Sequence, residues 1–237
     1  EKRWDFPVFQ FQQYLDLLKA SPSPSTMSSM MGLGVMILLM AFGFGTGLFS
    51  TEEQPEHAQK MMDNYDLARV VFSLIGMSML LLIFGWISFS RQIDPDDAAM
   101  NYGRLLLLPG AILIVAGMGL WLGLGTEVEV GINVTLNQVG DGISTIGDIF
   151  LDVGLLIIAI VAIRKNTITT LVKVLLALVA LGQILDLVAV VGGIGVDTLD
   201  FLGWIIFTLA TVGIGIQSLV AKESSSGGLF TYGEKTG

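Results

Sequence analysis

The sequence predicts an all-α integral membrane protein with six transmembrane helices. Hydrophobic residues make up 53% of the 237-residue chain and charged residues 14%, with a mean hydropathy of +0.75, whereas about a quarter of residues are charged in soluble proteins. Backbone groups in lipid must bond internally, and no apolar run alternates like a barrel strand, so helices are expected. Six runs are long enough to cross a core of about 30 Å: residues 27–49, 67–89, 105–125, 143–163, 168–194 and 201–220.

The basic residues predict that both chain termini are cytoplasmic. Lys and Arg are retained on the cytoplasmic side when a membrane protein inserts. With this orientation two basic residues, Lys60 and Arg69, are outside, and ten are inside: Lys2, Arg3, Lys19, Arg91, Arg104, Arg164, Lys165, Lys173, Lys222 and Lys235. We therefore expect a protein of the cell membrane with an acidic outer face.

Segments at both ends of the chain are expected to flank the six-helix domain, which covers residues 27–221. Residues 1–26 begin with an amphipathic stretch in which Val8, Phe11, Leu15 and Leu18 recur at helical spacing. This pattern predicts a helix lying in the inner membrane interface, followed by a Pro- and Ser-rich linker. An irregular cytoplasmic tail is the alternative. Residues 222–237 are rich in Ser and Gly and are expected to form a flexible cytoplasmic tail.

The outer segment 126–142 has a different pattern. Apolar residues alternate with polar or small ones from Val128 to Leu136, which is typical of a strand, so a short β element is expected here. The triplet Asn133-Val134-Thr135 is also a formal glycosylation sequon, whose use depends on the compartment.

Two acidic residues lie deep inside predicted spans. Asp152 is nine residues from the outer start of the fourth span and Asp186 is eight from the outer end of the fifth, which places them about 14 Å and 12 Å deep at about 1.5 Å per residue. Carboxylates at such depth are costly to insert and often mark ion or proton pathways. Because the two spans form a hairpin, the two carboxyl groups are expected at similar depth.

Three further residues are expected near these two. Asp148 lies one turn from Asp152, and Gln183 is one turn from Asp186, so each pair shares a helix face. Arg69, at the outer start of the second span, is the nearest cation and is expected to reach Asp148 from above. The alternative is that the acids bond neighbouring helices and only hold the bundle together.

The methionines Met36 and Met40 offer a second candidate site. Thioethers favour copper(I), and the spacing of four residues resembles the methionine pair of copper transporters of the Ctr type. Methionine also fills gaps between helices, and packing is the favoured interpretation of this pair.

The composition argues against several kinds of chemistry. The chain has no Cys and a single His, which excludes thiolate chemistry, haem held by two histidines and three-histidine metal sites within this chain. No hydrolase elbow, zinc-binding helix or nucleic-acid-binding patch is present in the sequence. We expect a protein that is not an enzyme, holds no cofactor and binds no nucleic acid.

Two functions remain open at this stage. The first is a non-catalytic multi-pass subunit of a larger membrane complex, with other membrane subunits or copies of itself as partners in the bilayer. The alternative is a small transporter or channel in which Asp148, Asp152, Gln183 and Asp186 bind a cation or proton. The scarcity of intramembrane polar residues favours the first, and the pair of deep carboxylates favours the second.

Overall fold

The protein is built from α-helices. The computed structural model describes residues 24–46, 54–122, 130–166, 168–192 and 196–223. Within these ranges the helices are α1 (Pro24–Gly45), α2 (Gln54–Asp63), α3 (Tyr65–Ile93), α4 (Ala98–Trp121), α5 (Val130–Arg164), α6 (Thr170–Gly192) and α7 (Val196–Glu223). Apart from the short α2, each helix overlaps one of the six predicted spans. The predicted interfacial helix and the final tail lie outside the described residues.

Four of these helices are long and apolar enough to cross a membrane. They cover Tyr65–Ile93, Ala98–Trp121, Gly131–Arg164 and Thr170–Gly192. Shorter apolar stretches, Gly32–Gly45 and Phe201–Gln217, belong to α1 and α7. The four long helices support a membrane protein, while six crossings stay a prediction.

The six long helices pack in a closed ring that follows the order of the chain. Each contacts the next one, and α7 returns to contact α1. The closest packing is within three pairs: α4 with α5, α1 with α3, and α6 with α7. Large apolar side chains, among them Leu38, Val191 and Leu209, are exposed on the outside of the ring. This is the arrangement expected when lipid rather than water surrounds a bundle.

Short connections fix the ends of several helices. Asp97 precedes α4, and its side chain accepts a hydrogen bond from the Met100 backbone N–H at 3.0 Å, which is an N-cap. Helix α3 has Asp66 in its first turn and Arg91 in its last. The acidic residue therefore lies at the positive end of the helix dipole and the basic residue at its negative end, and both positions are stabilising. The α3–α4 and α5–α6 connections lie at one end of the bundle, which we call the Lys165 end.

The short helix α2 belongs to the opposite end. Its buried residues Ala58, Met61 and Met62 form an apolar face, and the helix packs against α5 and α3. It contains Lys60, one of the two basic residues predicted to lie outside. We call this end of the bundle the α2 end.

The predicted β element is wrong for residues 130–142, which form the first part of α5. The inward face here is polar and small: Asn133, Asn137, Gly140 and Ser144 are buried, at spacings of four, three and four residues. These spacings are those of one face of a helix. The alternation of apolar residues in the same stretch suggested a strand instead. Residues 123–129, which include the start of the predicted strand, lie outside the described part.

The sequon at Asn133 does not suit glycosylation in this fold. The Asn133 side chain is 3% exposed and lies within α5. A glycan needs an accessible Asn on the surface. The structure therefore argues against a modified Asn133.

Glycine pairs explain the close packing of α4 on α5. Gly103, Gly110 and Gly117 recur every seven residues on α4, and each lies against a glycine of α5. A Cβ atom on Gly110 would stand 2.8 Å from the Gly147 carbonyl oxygen. Small residues let membrane helices approach closely in this way. The complete pairs are Gly103 with Gly154, Gly110 with Gly147, and Gly117 with Gly140.

Candidate functional site

A small cavity lies inside the ring of helices. Its volume is about 50 Å³. This is enough for a few water molecules, because one water molecule needs a cavity of about 10–15 Å³. Five of the six long helices line it, and α4 does not. The lining residues are Met36 of α1; Met79, Leu82 and Ile83 of α3; Asp148, Leu151, Asp152 and Leu155 of α5; Gln183 and Asp186 of α6; and Trp204 and Phe207 of α7.

The structure brings four of the predicted site residues to this one cavity. Asp148 and Asp152 reach it from α5, while Gln183 and Asp186 reach it from α6. Asp152 is 3% exposed and Gln183 is 4% exposed, and the other two are half-buried. The helical spacing within each pair, together with the contact between α5 and α6, produces this convergence. Their role in binding stays a prediction.

Arg69 does not line the cavity, and its predicted approach to Asp148 stays a prediction. It is exposed near the start of α3, ten residues before Met79, the first residue of that helix to line the cavity. At about 1.5 Å per residue this separates them by about 15 Å along the helix axis. Among the described residues that line the cavity, none is Lys, Arg or His. The cavity is therefore acidic without a lining cation.

One of the two methionines of the copper hypothesis lines the cavity and the other does not. Met36 is buried and lines the cavity, whereas Met40 is partly buried and packs against the apolar core. Met79 lines the cavity instead, from α3. Within the described part of the chain, no group of three or more His, Cys, Asp or Glu residues is placed to hold a metal ion.

Aromatic side chains close the cavity toward the Lys165 end. Phe207 of α7 lines the cavity, and its ring stacks on Trp86 of α3 with a centroid distance of 6.2 Å and an interplanar angle of 26°. Trp86 in turn contacts Phe89 edge to face at 5.6 Å. These aromatic residues were not predicted as part of the site. The sequence around an aromatic residue in an apolar span does not show which side chain of another helix it will contact.

A second polar group lies at the Lys165 end and was also missed. The Lys165 Nζ donates to Asp94 Oδ2 at 2.8 Å and to Asp97 Oδ2 at 2.7 Å. Hydrogen bonding to Lys165 holds the pKa of both carboxyl groups below the ordinary value of 3.8. The same bonds raise the pKa of Lys165 above its ordinary 10.5. This group ties the α3–α4 connection to the α5–α6 connection.

Together these features define a class: a helical membrane protein with an acidic cavity inside its ring of helices. Comparison with protein-family models, with curated proteins and with solved structures found no match to this chain. The function is therefore argued from the site itself.

Proposed function

We propose that this protein is a small transporter or channel that binds a proton in the central cavity. The observation that carries the proposal is the convergence of three carboxyl groups and one carboxamide, from two neighbouring helices, on one cavity inside the ring. Carboxyl groups inside a membrane protein are costly unless a proton, a cation or a hydrogen-bond donor compensates them. Such a group is a natural stopping point for a positive charge crossing the membrane.

A proton suits this cavity better than a metal ion does. A divalent cation such as Ca²⁺ takes about six to eight oxygen ligands, and a cavity of about 50 Å³ holds few waters to complete such a shell. Three carboxyl groups can exchange a proton through one or two waters, to which the Gln183 carboxamide can hydrogen-bond. We therefore assign the cavity to a proton, and the flux assay tests monovalent cations as alternatives.

The topology that goes with this function has six spans and cytoplasmic termini. Support comes from the ten basic residues on the predicted inner side against two on the outer side. In this orientation the Lys165 end is cytoplasmic, and the α2 end faces outward. The cavity would then separate the two sides of the membrane.

A second function, the accessory subunit that the sequence alone favours, is supported by one feature of α5. With 35 residues this helix is about 52 Å long, well beyond a hydrocarbon core of about 30 Å. Beyond the level of Gly140, which lies against Gly117 of α4, its first part exposes the apolar side chain of Ile132. Apolar residues exposed outside lipid favour contact with another chain. Such a partner is compatible with transport through the same bundle.

The experiment is proton flux into liposomes that contain the purified protein and an internal pH dye. A potassium gradient with valinomycin supplies the driving potential. We expect proton flux in the wild type. In the double variant Asp152→Asn with Asp186→Asn, the flux should fall to that of protein-free liposomes, because a carboxamide does not take up a proton near neutral pH. Asp141→Asn is the matched control, since Asp141 is exposed on the same helix.

Two results would contradict the proposal. One is a wild-type protein that gives no proton flux above protein-free liposomes, and the other is a double variant with unchanged flux. Flux of Na⁺ or K⁺ without proton movement would assign the cavity to that cation instead. Co-purification of a second membrane protein in fixed ratio, with no flux of any cation, would favour the accessory subunit.

A further inference from the structure

Two buried polar side chains lie beside the cavity, on its Lys165 side. Trp86 of α3 and Thr211 of α7 are 2% and 3% exposed. Neither the Trp86 indole Nε1 nor the Thr211 Oγ1 has a hydrogen-bond partner among the residues that the structure describes. Buried polar atoms of this kind are rare in folded proteins, because each one forgoes the hydrogen bonds that it makes to water when exposed.

The register of the helices places both groups next to the cavity. Trp86 follows the lining residue Ile83 by three positions, and Thr211 follows the lining residue Phe207 by four. Each is thus about one helical turn, or roughly 5 Å, farther along its helix. The stacking of Trp86 on Phe207, at 6.2 Å between centroids, brings α3 and α7 together at this level.

The chemistry of the two groups is complementary toward one water molecule. An indole N–H can only donate a hydrogen bond, whereas a hydroxyl group both donates and accepts. A water oxygen can accept from Trp86 while the water also bonds Thr211, which satisfies both groups. Buried waters typically bridge polar groups in this manner, and the adjoining cavity of about 50 Å³ gives such a water a route of entry.

We propose that Trp86 and Thr211 form a water-binding site between the acidic cavity and the Lys165 end. The Phe207 ring lines the cavity and stacks on Trp86. A rotation of that ring would join the water to the hydrogen-bonding network of the cavity. The water site stands on burial and chemistry alone, and its role as the next position of a proton rests on the proposed function.

The next polar group along α3 extends the same line. Ser90 is four residues after Trp86, it is buried, and its Oγ accepts a hydrogen bond from Arg104 Nε at 2.8 Å. Carboxyl groups, the proposed water site and Ser90 thus follow one another toward the Lys165 end. Water at the level of Trp86 and Thr211 is what would connect the series.

The water site can be tested by NMR on protein labelled with ¹⁵N-tryptophan in lipid nanodiscs. The chain has four Trp residues, and the substitution Trp86→Phe identifies the Trp86 indole signal while it preserves an aromatic ring. We expect a cross-peak between the Trp86 indole proton and water. The isosteric substitution Thr211→Val should weaken it, whereas Thr208→Val on the same helix should leave it unchanged.

A Trp86 indole proton with no water cross-peak in the wild type would overturn the proposal. A cross-peak equally strong in Thr211→Val, or equally weakened by Thr208→Val, would do the same. The liposome assay then separates the two proposals. Wild-type flux that is lost in the Asp152 and Asp186 double variant but unchanged in Trp86→Phe and Thr211→Val would remove the water from the proton route and leave the transport function standing.

Discussion

Arg104 is bound to the end of the preceding helix. Its Nε and Nη2 donate to the Ser90 hydroxyl and carbonyl oxygens, each at 2.8 Å, and its Nη1 donates to the Pro95 carbonyl oxygen at 3.0 Å. The last carbonyl groups of a helix lack partners within it. The buried guanidinium therefore caps α3 from the second turn of α4, a role that its charge alone does not reveal.

Lys165 forms ion pairs with Asp94 and Asp97 at the same end of the bundle. Together with Arg104 it accounts for two of the ten basic residues that support the predicted orientation, yet both are engaged inside the protein. The lowered pKa of Asp94 and Asp97, caused first by the hydrogen bonds from Lys165, means that their stabilising effect is present above the ordinary pKa. It is lost only as the pH falls through the lowered values.

The substitution Lys165→Met should destabilise the protein by an amount that is constant between about pH 5 and pH 9. The raised pKa of Lys165 keeps its contribution complete below 10.5, and the carboxyl groups stay charged above 3.8. Thermal unfolding in detergent would show a lower Tm than the wild type, with a difference that shrinks in stronger acid. Lys173→Met, half-buried at the same end, is the control. A difference that grows on acidification would contradict the ion-pair explanation.

At the level of elements, glycine determines which helices pair. The three glycine pairs between α4 and α5 are repeated in kind elsewhere: a Cβ on Gly182 of α6 would lie 2.8 Å from the Gly203 carbonyl oxygen of α7, and one on Gly32 of α1 would lie 2.6 Å from the Ser78 carbonyl oxygen of α3. The closest helix pairs therefore meet backbone to backbone. Membrane helices gain van der Waals contact by this route, because lipid provides no hydrophobic drive for association.

Gly110→Ala should destabilise the bundle by about 1–3 kcal/mol, the usual cost of overpacking. The added methyl group would stand 2.8 Å from the Gly147 carbonyl oxygen and 3.0 Å from Leu151, so the backbones of α4 and α5 must separate. Gly119→Ala is a matched control on the same helix, because nothing lies within 4 Å of its Cβ position. The free energy of unfolding in mixed micelles measures both. Equal effects of the two substitutions would show that helix packing is not the cause.

The whole molecule is a ring in which consecutive helices are neighbours. Three spans, α3 to α5, separate α2 from the α5–α6 connection. The predicted topology therefore puts Gln59 and Asn166, both exposed, on opposite sides of the membrane. Because the natural chain has no Cys, a single introduced thiol reports each location without background.

In sealed cells, Gln59→Cys should react with a membrane-impermeant maleimide at once, and Asn166→Cys only after permeabilisation. This outcome follows from retention of basic residues on the cytoplasmic side. The reverse labelling pattern would invert the orientation. Labelling of both thiols from one side would contradict an odd number of crossings between them.

Sequence reasoning succeeded where the physical signal is local. Within the described residues, each of the six long helices overlaps an apolar run found by hydropathy, because the apolar composition of a segment can be read from that segment alone. The helical repeat also placed Asp148 with Asp152 and Gln183 with Asp186 on shared faces. It failed for residues 130–142, where the buried face of α5 is polar and the alternation from Val128 to Leu136 suggested a strand.

The order of residues along the chain was enough to indicate a helical membrane protein and to show which acidic residues lie within its apolar segments. The three-dimensional packing was needed to show that α5 and α6 bring their carboxyl groups to one cavity, that Arg69 does not line it, and that Lys165 binds Asp94 and Asp97. Those outcomes depend on how helices rotate about their axes and on which glycines let two backbones meet. Such rotations are set by packing between distant segments, which no single segment encodes.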